Sequence, residues 1–495
     1  MPTRNYTQET WGDNMKDRTP KFPGRVKLKP VAGQTDTYDM TRADEPDDTG
    51  TPFNTRTMLQ DSTGRFLRLP YANPFVDDAF RHMPDRIEPI GTVKTSPAFS
   101  LGKAWLPCDG SQVSFTEYPS LCQLLRGAEG TTQWDEKQIA ANMLETSELL
   151  FFKGKWYVAG RVYENKRGRL VVCSSVTMNG VYSTVAEYTQ EYDAYDVRAT
   201  CNEEILAVVA KYNSNIIVGY TENGESWEFY THNLKNTSGE RIKGFCVAES
   251  VFALATTGAF AKTFNIKDPS AWDKGYGVTS EGWFAGISVV DGKFMLVGRE
   301  RYLPSGSNAY LAQCDIFSSN VLASANDLVR VKSIRPGFYE AEFSNIVKYS
   351  DRYWIAYEYR SNFSSGILHR GYLYSSNLID WAVGGEKESP SGGISPKNDH
   401  ALVSNQNFML LRSYDQLFLT SDPLQQESNV SLPVGASLST VGIYGDIGVA
   451  TGKGVLYYHD YSTDTRLLPI ISLSDDTTTF IKAKNELDVF EAGGD

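Results

Sequence analysis

The stretch FFKGKWYVAG, residues 151–160, places a tight polar turn before a run of apolar residues, and this pattern returns six more times along the chain. A turn followed by four or five apolar residues is typical of a β-strand entered from a hairpin. The copies start about 40 to 60 residues apart, near the length of a four-stranded propeller blade with variable loops. The further copies are EEILAVVAK (203–211), ESVFALATT (249–257), VDGKFMLVG (290–298), SDRYWIAYE (350–358), NQNFMLLRS (405–413) and YGDIGVATG (444–452).

These repeats predict a mainly β fold containing a β-propeller of about seven blades, with six or eight blades as open alternatives. A ring is favoured because one small sheet cannot bury both of its faces, whereas closure of the ring removes exposed edges. The 9 Trp, 28 Tyr and 24 Phe residues agree, since aromatic side chains favour pleated, half-buried surfaces. A charged fraction of 22% beside 41% hydrophobic residues excludes a wholly disordered chain, a collagen and a coiled coil.

A second pattern follows several of these strands and consists of Tyr-Ser or Tyr-Thr, a polar turn and a Trp. Residues 220–227 and 374–381 show it most clearly, and residues 268–272 show a shortened form. These segments resemble the Asp-box turns of sialidase-like propellers, which join the third and fourth strands of a blade. Glu222 stands where the box has Asp, so the match is degenerate. The resemblance implies a propeller and does not imply sialidase activity.

Charge and hydropathy exclude several classes of partner. The chain has 48 Lys and Arg against 60 Asp and Glu, a net charge of −12, and it has no run rich in Lys or Arg. A nucleic acid backbone would be repelled by this overall field, so we expect no nucleic acid partner. Apolar runs stop near six residues, far short of the ~20 that a membrane-spanning helix needs. The N-terminal residues lack the central apolar stretch of a signal peptide. We therefore expect neither a signal peptide nor membrane insertion.

The six cysteines never form a CxxC pair, and several lie inside apolar strand patterns such as LVVCSS and GFCVA. This context favours buried free thiols made in a reducing cytoplasm. The five histidines are scattered without the spacing of a metal-binding motif, and GxGxxG, Walker A and GxSxG motifs are absent. The sequence predicts no metal site and no cofactor.

Residues 90–126 begin with Ile-Gly-Thr at 90–92, continue with Trp-Leu-Pro-Cys-Asp-Gly at 105–110, and end in a Tyr-containing segment. This order resembles the opening of the phage tail-collar domain. Ser114 and Glu117 have the spacing of a capping box, which predicts a helix with one apolar face. The motif residues, to which we assign a structural role, are Trp105, Pro107, Cys108, Asp109 and Gly110; the predicted apolar face is Tyr118, Leu121, Leu124 and Leu125.

Collar domains of this kind often end in a Leu-Pro strand and a Phe-Ile-Lys-Ala-Lys stretch, which stand here at 468–471 and 480–484. We infer that the propeller is inserted into the collar-like domain, because a closed ring brings its two ends together. The family's middle portion is missing, so the domain is reduced. The predicted organisation is a docking segment at 1–85, the first collar-like part at 86–130, the propeller at 131–463, and the second collar-like part with a C-terminal tail at 464–495.

The leader at residues 23–54 is similar to the N-terminal segment of tail proteins from phages and prophages of Gram-positive bacteria. Tyr38-Asp39-Met40, Arg42-Ala43-Asp44 and Gly50-Thr51-Pro52 carry the likeness. The apolar residues between 26 and 31 suggest a short strand, and residues 51–60 suggest a helix. The resemblance implies that the leader docks on other tail or baseplate proteins. Phage-tail-like bacteriocins and contractile particles share such parts.

In a propeller, the loops between the second and third strands of each blade lie on one rim, together with the links between blades. Three of these loops are long, at 161–168, 299–308 and 357–366. They combine aromatic rings, Arg and amide groups, a mixture suited to sugar rings and their hydroxyls. The candidate glycan-binding residues are Arg161, Tyr163, Arg301, Tyr302, Asn308, Tyr359, Arg360, Asn362 and Phe363.

The sequence thus predicts a tail-fibre or baseplate protein of a phage or phage-tail-like particle, assembled in the bacterial cytoplasm, that docks by its N-terminus and presents the propeller to a cell-surface glycan. Linked copies would give weak sugar contacts avidity, so we expect a homo-oligomer, with a trimer favoured. Two alternatives stay open, a sialidase-like glycan-degrading tailspike and a purely structural baseplate subunit. No spacing singles out the three Arg residues of a sialidase, so we expect no catalytic residues.

Overall fold

A computed structural model describes most of the chain after residue 89 and four short strands before it. The described ranges are 90–96, 104–125, 133–164, 167–189, 194–233, 241–276, 283–304, 310–360, 368–388, 400–424, 426–467 and 478–484. The chain divides into two compact units, Met1–Glu88 and Pro89–Asp495.

The first unit contains two antiparallel strand pairs. β1 (Thr19–Pro20) pairs with β4 (Pro46–Asp48), and β2 (Val26–Pro30) pairs with β3 (Tyr38–Arg42). The strand predicted after residue 25 is therefore present as β2. The helix predicted at 51–60 lies outside the described residues.

The second unit opens with four short strands and a helix. These are β5 (Val93–Ser96), β6 (Trp105–Pro107), β7 (Gln112–Ser114), α1 (Pro119–Leu125) and β8 (Asp135–Gln138).

Seven antiparallel sheets follow, each with a first strand at the centre and a fourth at the outside, and we call them blades 1 to 7. Blade 1 holds β9 (Met143–Thr146) and β10 (Leu150–Phe152), which both pair with β11 (Lys155–Glu164), then β12 (Arg167–Ser175) and β13 (Ser183–Tyr188). Blade 2 holds β14 (Tyr195–Cys201), β15 (Leu206–Tyr212), β16 (Asn215–Thr221) and β17 (Glu228–Asn233). Blade 3 holds β18 (Ile242–Ala248), β19 (Val251–Thr256), β20 (Ala259–Thr263) and β21 (Trp272–Tyr276).

The remaining blades keep this order. Blade 4 holds β22 (Trp283–Val290), β23 (Lys293–Tyr302), β24 (Leu311–Asn320) and β25 (Val329–Ile334). Blade 5 holds β26 (Glu340–Tyr349), β27 (Arg352–Arg360), β28 (Leu368–Ser375) and β29 (Ala382–Glu388). Blade 6 holds β30 (Ala401–Ser404), β31 (Met409–Ser413), β32 (Gln416–Asp422) and β33 (Gln426–Asn429). Blade 7 holds β34 (Thr440–Tyr444), β35 (Ile447–Gly452), β36 (Val455–Asp460) and, as its fourth strand, β8. Single 3-10 turns lie at Pro269–Ala271, Ala325–Asp327 and Tyr461–Thr463.

The predicted propeller is confirmed, and its blade count is seven. Each of the seven repeat copies is the turn between the first and second strands of one blade, followed by the second strand. In blade 1 this turn is Lys153-Gly154, with φ of 47° and 81°, and in blade 4 it is Asp291-Gly292, with φ of 46° and 69°. Two consecutive residues with positive φ make the two-residue hairpin turn whose twist matches that of its strands. Blade 5 has the same turn at Ser350-Asp351, whereas blades 2 and 6 use four-residue connections. The repeat was visible because in every blade a polar turn precedes a buried strand.

The Asp-box-like segments form turns between the third and fourth strands of blades 2, 3 and 5, as predicted. The residue that organises the first of them differs from the expectation. Asn223 Oδ1 accepts hydrogen bonds from the amides of Glu225 and Ser226, both at 2.8 Å, whereas Glu222 points outward to Lys267. Asn377 has the same role in blade 5. An amide oxygen thus replaces the Asp carboxylate of the box, one residue after the position expected from the sequence.

The apolar core lies between the blades. Each neighbouring pair shares a buried cluster; between blades 1 and 2 it includes Tyr157, Leu170, Val197 and Val208. The cluster formed by Leu149 and Val158 of blade 1 with Val449 and Leu456 of blade 7 closes the circle. The remaining five clusters join blades 2 and 3, 3 and 4, 4 and 5, 5 and 6, and 6 and 7. The seven sheets therefore form a closed ring.

All six cysteines are free thiols. Cys108, Cys122, Cys173 and Cys314 are buried as predicted, but Cys201 and Cys246 are only half-buried. Burial raises the pKa of the Cys314 thiol well above its ordinary value. Within the described ranges no helix is long and apolar enough to cross a membrane.

The segments before and after the ring pair with each other. β38 (Thr478–Lys482) lies between β5 and β6, and β37 (Thr465–Leu467) pairs with β7. The Ile-Gly-Thr segment joins the same sheet, since Gly91 donates its amide to the Lys482 carbonyl at 2.8 Å. We call β5, β6, β7, α1, β37 and β38 the platform. The Leu-Pro segment at residues 468–471 lies outside the described residues.

The predicted helix is shorter than its capping pattern suggested. Ser114 Oγ accepts a hydrogen bond from the Glu117 amide at 3.2 Å, but α1 begins only at Pro119 because a turn intervenes. Leu121 is fully buried, whereas Leu124 is 43% exposed and so does not belong to the buried face. A proline starts the helix readily, since the first helical position needs no amide donor.

The platform packs on blades 6 and 7 at one rim of the ring. The buried side chain of Gln123 donates to the Leu419 carbonyl at 3.0 Å and accepts from the Ser421 amide at 3.2 Å. Thr116 donates to Asp446, in the turn between the first two strands of blade 7. These contacts lie at the rim of the first-to-second and third-to-fourth strand turns, which we call the platform rim. The second-to-third strand turns lie at the opposite rim, which we call the free rim.

Replacing Trp134, at the entry to β8, tests ring closure. Its side chain is 1% exposed and its Nε1 donates to the Tyr461 hydroxyl at 3.2 Å. Trp134→Ala should lower the free energy of unfolding by about 3–5 kcal/mol, because a large cavity opens where β8 joins blade 7. Urea denaturation of the purified chain measures this.

The matched control is Trp227→Ala, in the third-to-fourth turn of blade 2. Trp227 is half-buried and stacks on Phe229 at 6.2 Å, so its loss should cost about 2 kcal/mol or less. Equal losses in the two variants would contradict a special role for the closing strand.

Candidate functional site

Three blades carry hairpins that extend beyond the free rim. The second strands of blades 1, 4 and 5 have 10, 10 and 9 residues, while those of blades 2, 3, 6 and 7 have 7, 6, 5 and 6. All seven start from turns at the platform rim, so the additional residues lengthen the hairpins at the opposite end. The three long loops in the sequence are thus the three projecting hairpins.

The candidate glycan-binding residues divide into two groups around the ring. Arg301 and Tyr302 of blade 4 neighbour Tyr359 and Arg360 of blade 5, since the two blades are adjacent. Arg161 and Tyr163 belong to blade 1, which blades 6 and 7 separate from blade 5. The remaining candidates, Asn308, Asn362 and Phe363, lie outside the described residues.

Tyr359 is fixed by its neighbours. Its ring stacks on Phe338 at 3.9 Å and 7°, and on His369 of the next strand at 5.1 Å. Because Phe338 precedes β26 and His369 lies on β28, these rings flank Tyr359 from both sides of β27. Its hydroxyl donates to Glu386 Oε1 at 2.8 Å, and burial together with this bond raises the pKa of Tyr359. Tyr359 therefore offers a ligand its edge and its hydroxyl more than a free stacking face.

Cationic side chains surround this aromatic cluster. Arg301, with 47% of its side chain exposed, lies 3.9 Å from Glu340, and Arg335 covers the ring of Tyr302 at 4.7 Å. Arg360 is directly opposite Glu340 in the strand register. Arg360 is half-buried and makes no ion pair or side-chain hydrogen bond within the part of the chain that the structure describes. Arg360 ends β27 and therefore lies at the free rim.

Blade 1 presents a smaller group of the same kind. The Arg161 guanidinium lies over the Tyr163 ring at 5.5 Å, and Tyr163 is 43% exposed. Arg169 of the facing strand forms ion pairs with Glu164 and Glu187. A ligand at this hairpin could contact the exposed side chain of Tyr163.

Sequence reasoning did not identify Arg335, Phe338, His369 and Glu386. They come from the link between blades 4 and 5 and from the two outer strands of blade 5. The tertiary structure brings Phe338, His369 and Glu386 beside Tyr359, and places Arg335 over Tyr302. The signal that could have found them is the strand register: His369 is the direct partner of Tyr359 across β27 and β28.

Charged residues also cluster on the first strands of blades 1 to 3, near the centre of the ring. Arg241 donates its Nε to Asp196 at 2.9 Å, and Arg198 lies 3.8 Å from Glu148. Arg412 of blade 6 donates to the Leu438 carbonyl at 3.1 Å. These guanidinium groups already have partners within the protein, and a substrate carboxylate would have to displace them. The arrangement ties blades together.

Within the described ranges, no group of three or more His, Cys, Asp or Glu side chains could hold a metal ion. His369 and Glu386, 3.4 Å apart, form a pair only, as do His459 and Asp464 at 2.9 Å.

The charged groups near the centre of the ring can be tested through the pH dependence of stability at Glu145. Burial, joined by the neighbouring Asp196 carboxylate, raises the pKa of Glu145. Its ionised form is therefore disfavoured in the folded state, and its contribution to stability is lost as pH rises above the ordinary Glu pKa of about 4.3. In the parent, Glu145 accepts a hydrogen bond from the backbone amide of Asp196 at 3.0 Å. In Glu145→Gln, the side-chain oxygen of Gln can still accept this bond.

We expect the free energy of unfolding of Glu145→Gln, relative to the parent, to increase between about pH 4 and about pH 7. Thermal unfolding in a series of buffers at constant ionic strength measures the difference. A relative stability that falls over this range would show that the charged form is favoured in the folded chain.

No family model and no curated protein matches the chain. Among solved structures, it is similar to one described as YCF48 bound to D1 peptide, with 13% identity, a TM-score of 0.43, and coverage of 67% of this chain and 96% of that one. It is also similar to a chain of the mitotic checkpoint complex, with 10% identity, a TM-score of 0.43, and coverage of 67% and 95%. A third similar structure comes from a study of two prolyl endopeptidases, with 9% identity, a TM-score of 0.42, and coverage of 70% of this chain and 51% of that one. The seven-bladed assignment rests on the strand order of the chain itself.

Proposed function

We propose that this protein is a component of the tail or baseplate of a phage or phage-tail-like particle, that it docks through its N-terminal segment, and that its propeller binds a bacterial surface glycan. On this proposal it is an adhesion protein without enzymatic activity, assembled in the bacterial cytoplasm. Copies linked as a homo-oligomer, with a trimer favoured, would add avidity to weak sugar contacts.

One observation carries the proposal. The Trp-Leu-Pro and Phe-Ile-Lys segments, both quoted above for their likeness to the tail-collar domain, lie more than three hundred residues apart yet pair in one sheet. Phe480 is opposite Pro107, and Ile481 is opposite Leu106. The tail-collar likeness was found in two segments that are distant in sequence. Their pairing in one sheet supports it, because two chance matches would not be expected to lie side by side.

The arrangement of the two rims supports recognition at the free rim. The platform covers the platform rim at blades 6 and 7 through Gln123 and Thr116. The projecting hairpins, with Tyr302, Tyr359 and Arg360, lie at the free rim. An adhesion protein needs a recognition surface that its own supporting parts do not cover, and the platform packs on the rim opposite the hairpins.

Removing residues 1–88 tests the docking step. These residues form a unit separate from Pro89–Asp495, so the truncated chain should remain folded and soluble. It should fail to enter particles, as measured by its absence from purified particles when it replaces the full chain during assembly. Incorporation at the normal level would refute docking through the leader.

Arg360→Ala tests recognition at the free rim. Because the Arg360 side chain forms no described hydrogen bond or ion pair, its removal should change the free energy of unfolding by about 0.5 kcal/mol or less. Loss of an interface anchor costs about 2 kcal/mol, so binding to host cells should weaken roughly 30-fold. Cell pull-down over a range of protein concentrations measures the effect.

Arg352→Ala is the matched control, since Arg352 begins the same strand that Arg360 ends. It lies at the platform rim and covers the Tyr374 ring at 5.6 Å. Cell binding should be unchanged in this variant. Equal weakening by both substitutions would move the recognition surface away from the free rim, and release of sugar from host polymer by the parent would favour the glycan-degrading alternative.

A further inference from the structure

A cleft of 360 Å³ opens at the free rim where blade 6 meets blade 7. Its walls are the turn between the second and third strands of blade 6 and the link from blade 6 to blade 7. The polar side chains that line it are Asp415, Gln416, Asn429 and Ser431. None of them belongs to the candidate loops named above.

The cleft lies on a recessed part of the free rim, a floor between the long hairpins of blades 5 and 1. The turns at this rim are two residues long in blade 6, between β31 and β32, and in blade 7, between β35 and β36. The extended hairpin of blade 5 stands on one side, and that of blade 1 stands on the other. A ligand on this floor would therefore lie between Arg360 and Tyr163.

The lining is rich in hydrogen-bond acceptors. Gln416 Oε1 is buried and accepts no hydrogen bond within the described part of the chain. Asp415 Oδ1 accepts from the Leu438 amide at 2.8 Å, which fixes the carboxylate and leaves its second oxygen without a described donor. A buried acceptor without a donor costs about 1–3 kcal/mol in general, so a ligand that donates there is favoured.

The class of ligand follows from these groups. A sugar ring supplies several hydroxyl donors at close spacing, which match carboxylate, amide and hydroxyl acceptors. The Asp415 carboxylate repels anionic ligands, such as uronic acids or phosphodiesters. We propose that this cleft binds a neutral sugar unit of the surface glycan. The inference rests on the proposed function and gives it a specific site.

Asn429→Trp blocks the cleft without removing a described contact. Asn429 is exposed at the end of β33, where a large side chain would occupy the cleft. Val329→Trp is the matched control, because Val329 is 61% exposed on the outer strand of blade 4, away from the cleft. Both variants should unfold at the same temperature as the parent, which shows that the fold is retained.

The experiment is saturation-transfer NMR on the full chain with galactose, N-acetylglucosamine and glucuronate, each at about 10 mM, which occupies a site with a millimolar Kd. The parent and Val329→Trp should show transfer to at least one neutral sugar and none to glucuronate. Asn429→Trp should weaken that binding at least about tenfold. Absence of transfer to both neutral sugars, preference for glucuronate, or unchanged binding by Asn429→Trp would each overturn the proposal.

Adsorption to host cells separates this inference from the proposed function. If Asn429→Trp loses sugar binding but still adsorbs like the parent, the cleft is not the receptor site and the inference fails, while the adhesion role stands. If the parent binds a neutral sugar in the cleft but neither enters particles nor adsorbs to cells, the proposed function fails and the cleft remains a sugar site.

Discussion

The antiparallel pairing of β8 with β36 is the constraint on which the rest of the molecule depends. β8 precedes the first blade in sequence and supplies the outer strand of the last one, so the ring closes by backbone hydrogen bonds from Val455 opposite Gln138 to Tyr458 opposite Asp135. Without it, blade 7 would have three strands and the first and last parts of the ring would lose this backbone link. The same pairing returns the chain to its starting point, which allows β37 and β38 to meet β5, β6 and β7 and build the platform.

Polar contacts between blades add specificity to the apolar clusters that join them. Lys262 of blade 3, fully buried, donates to Ser319 of blade 4 at 2.8 Å, and Arg299 of blade 4 pairs with Glu342 of blade 5 at 2.7 Å. Thr440 of blade 7 donates to the Ser147 carbonyl of blade 1 at 3.1 Å. Such buried charges are costly to remove from water and contribute little net stability unless they are paired. Their placement between successive blades favours one arrangement of seven similar sheets over others.

Because stability lies between the blades, the free rim can vary in shape without cost to the ring. Blades 1, 4 and 5 use this freedom to project hairpins, and blades 6 and 7 use it to leave a low polar cleft. The platform occupies the other rim through the buried amide of Gln123. The proposed recognition at the free rim follows from this separation of supporting and variable parts.

The sequence by itself determined the propeller, its approximate blade count and the position of every second strand. It could do so because each blade repeats a local signal, a polar turn before a buried apolar strand. In blades 1, 4 and 5 both residues of that turn have positive φ. It also located the three long hairpins and the third-to-fourth strand turns of blades 2, 3 and 5. In blade 2 it placed Glu222 at the Asp position of the box, whereas Asn223 accepts the hydrogen bonds of the turn. A one-residue error of this kind arises because side-chain direction in a tight turn depends on backbone angles that the residue types do not fix.

Only the tertiary structure decided which residues stand together at the free rim. Tyr359 and Tyr163 have similar sequence surroundings, yet Tyr359 is flanked by Phe338 and His369 while Tyr163 is 43% exposed. The sequence also gave no sign of the cleft at Asp415 and Gln416, because its walls come from a two-residue turn and an irregular link without periodicity. Contacts between strands and blades are set by register and ring closure, which join residues far apart in the chain and leave no local pattern to read.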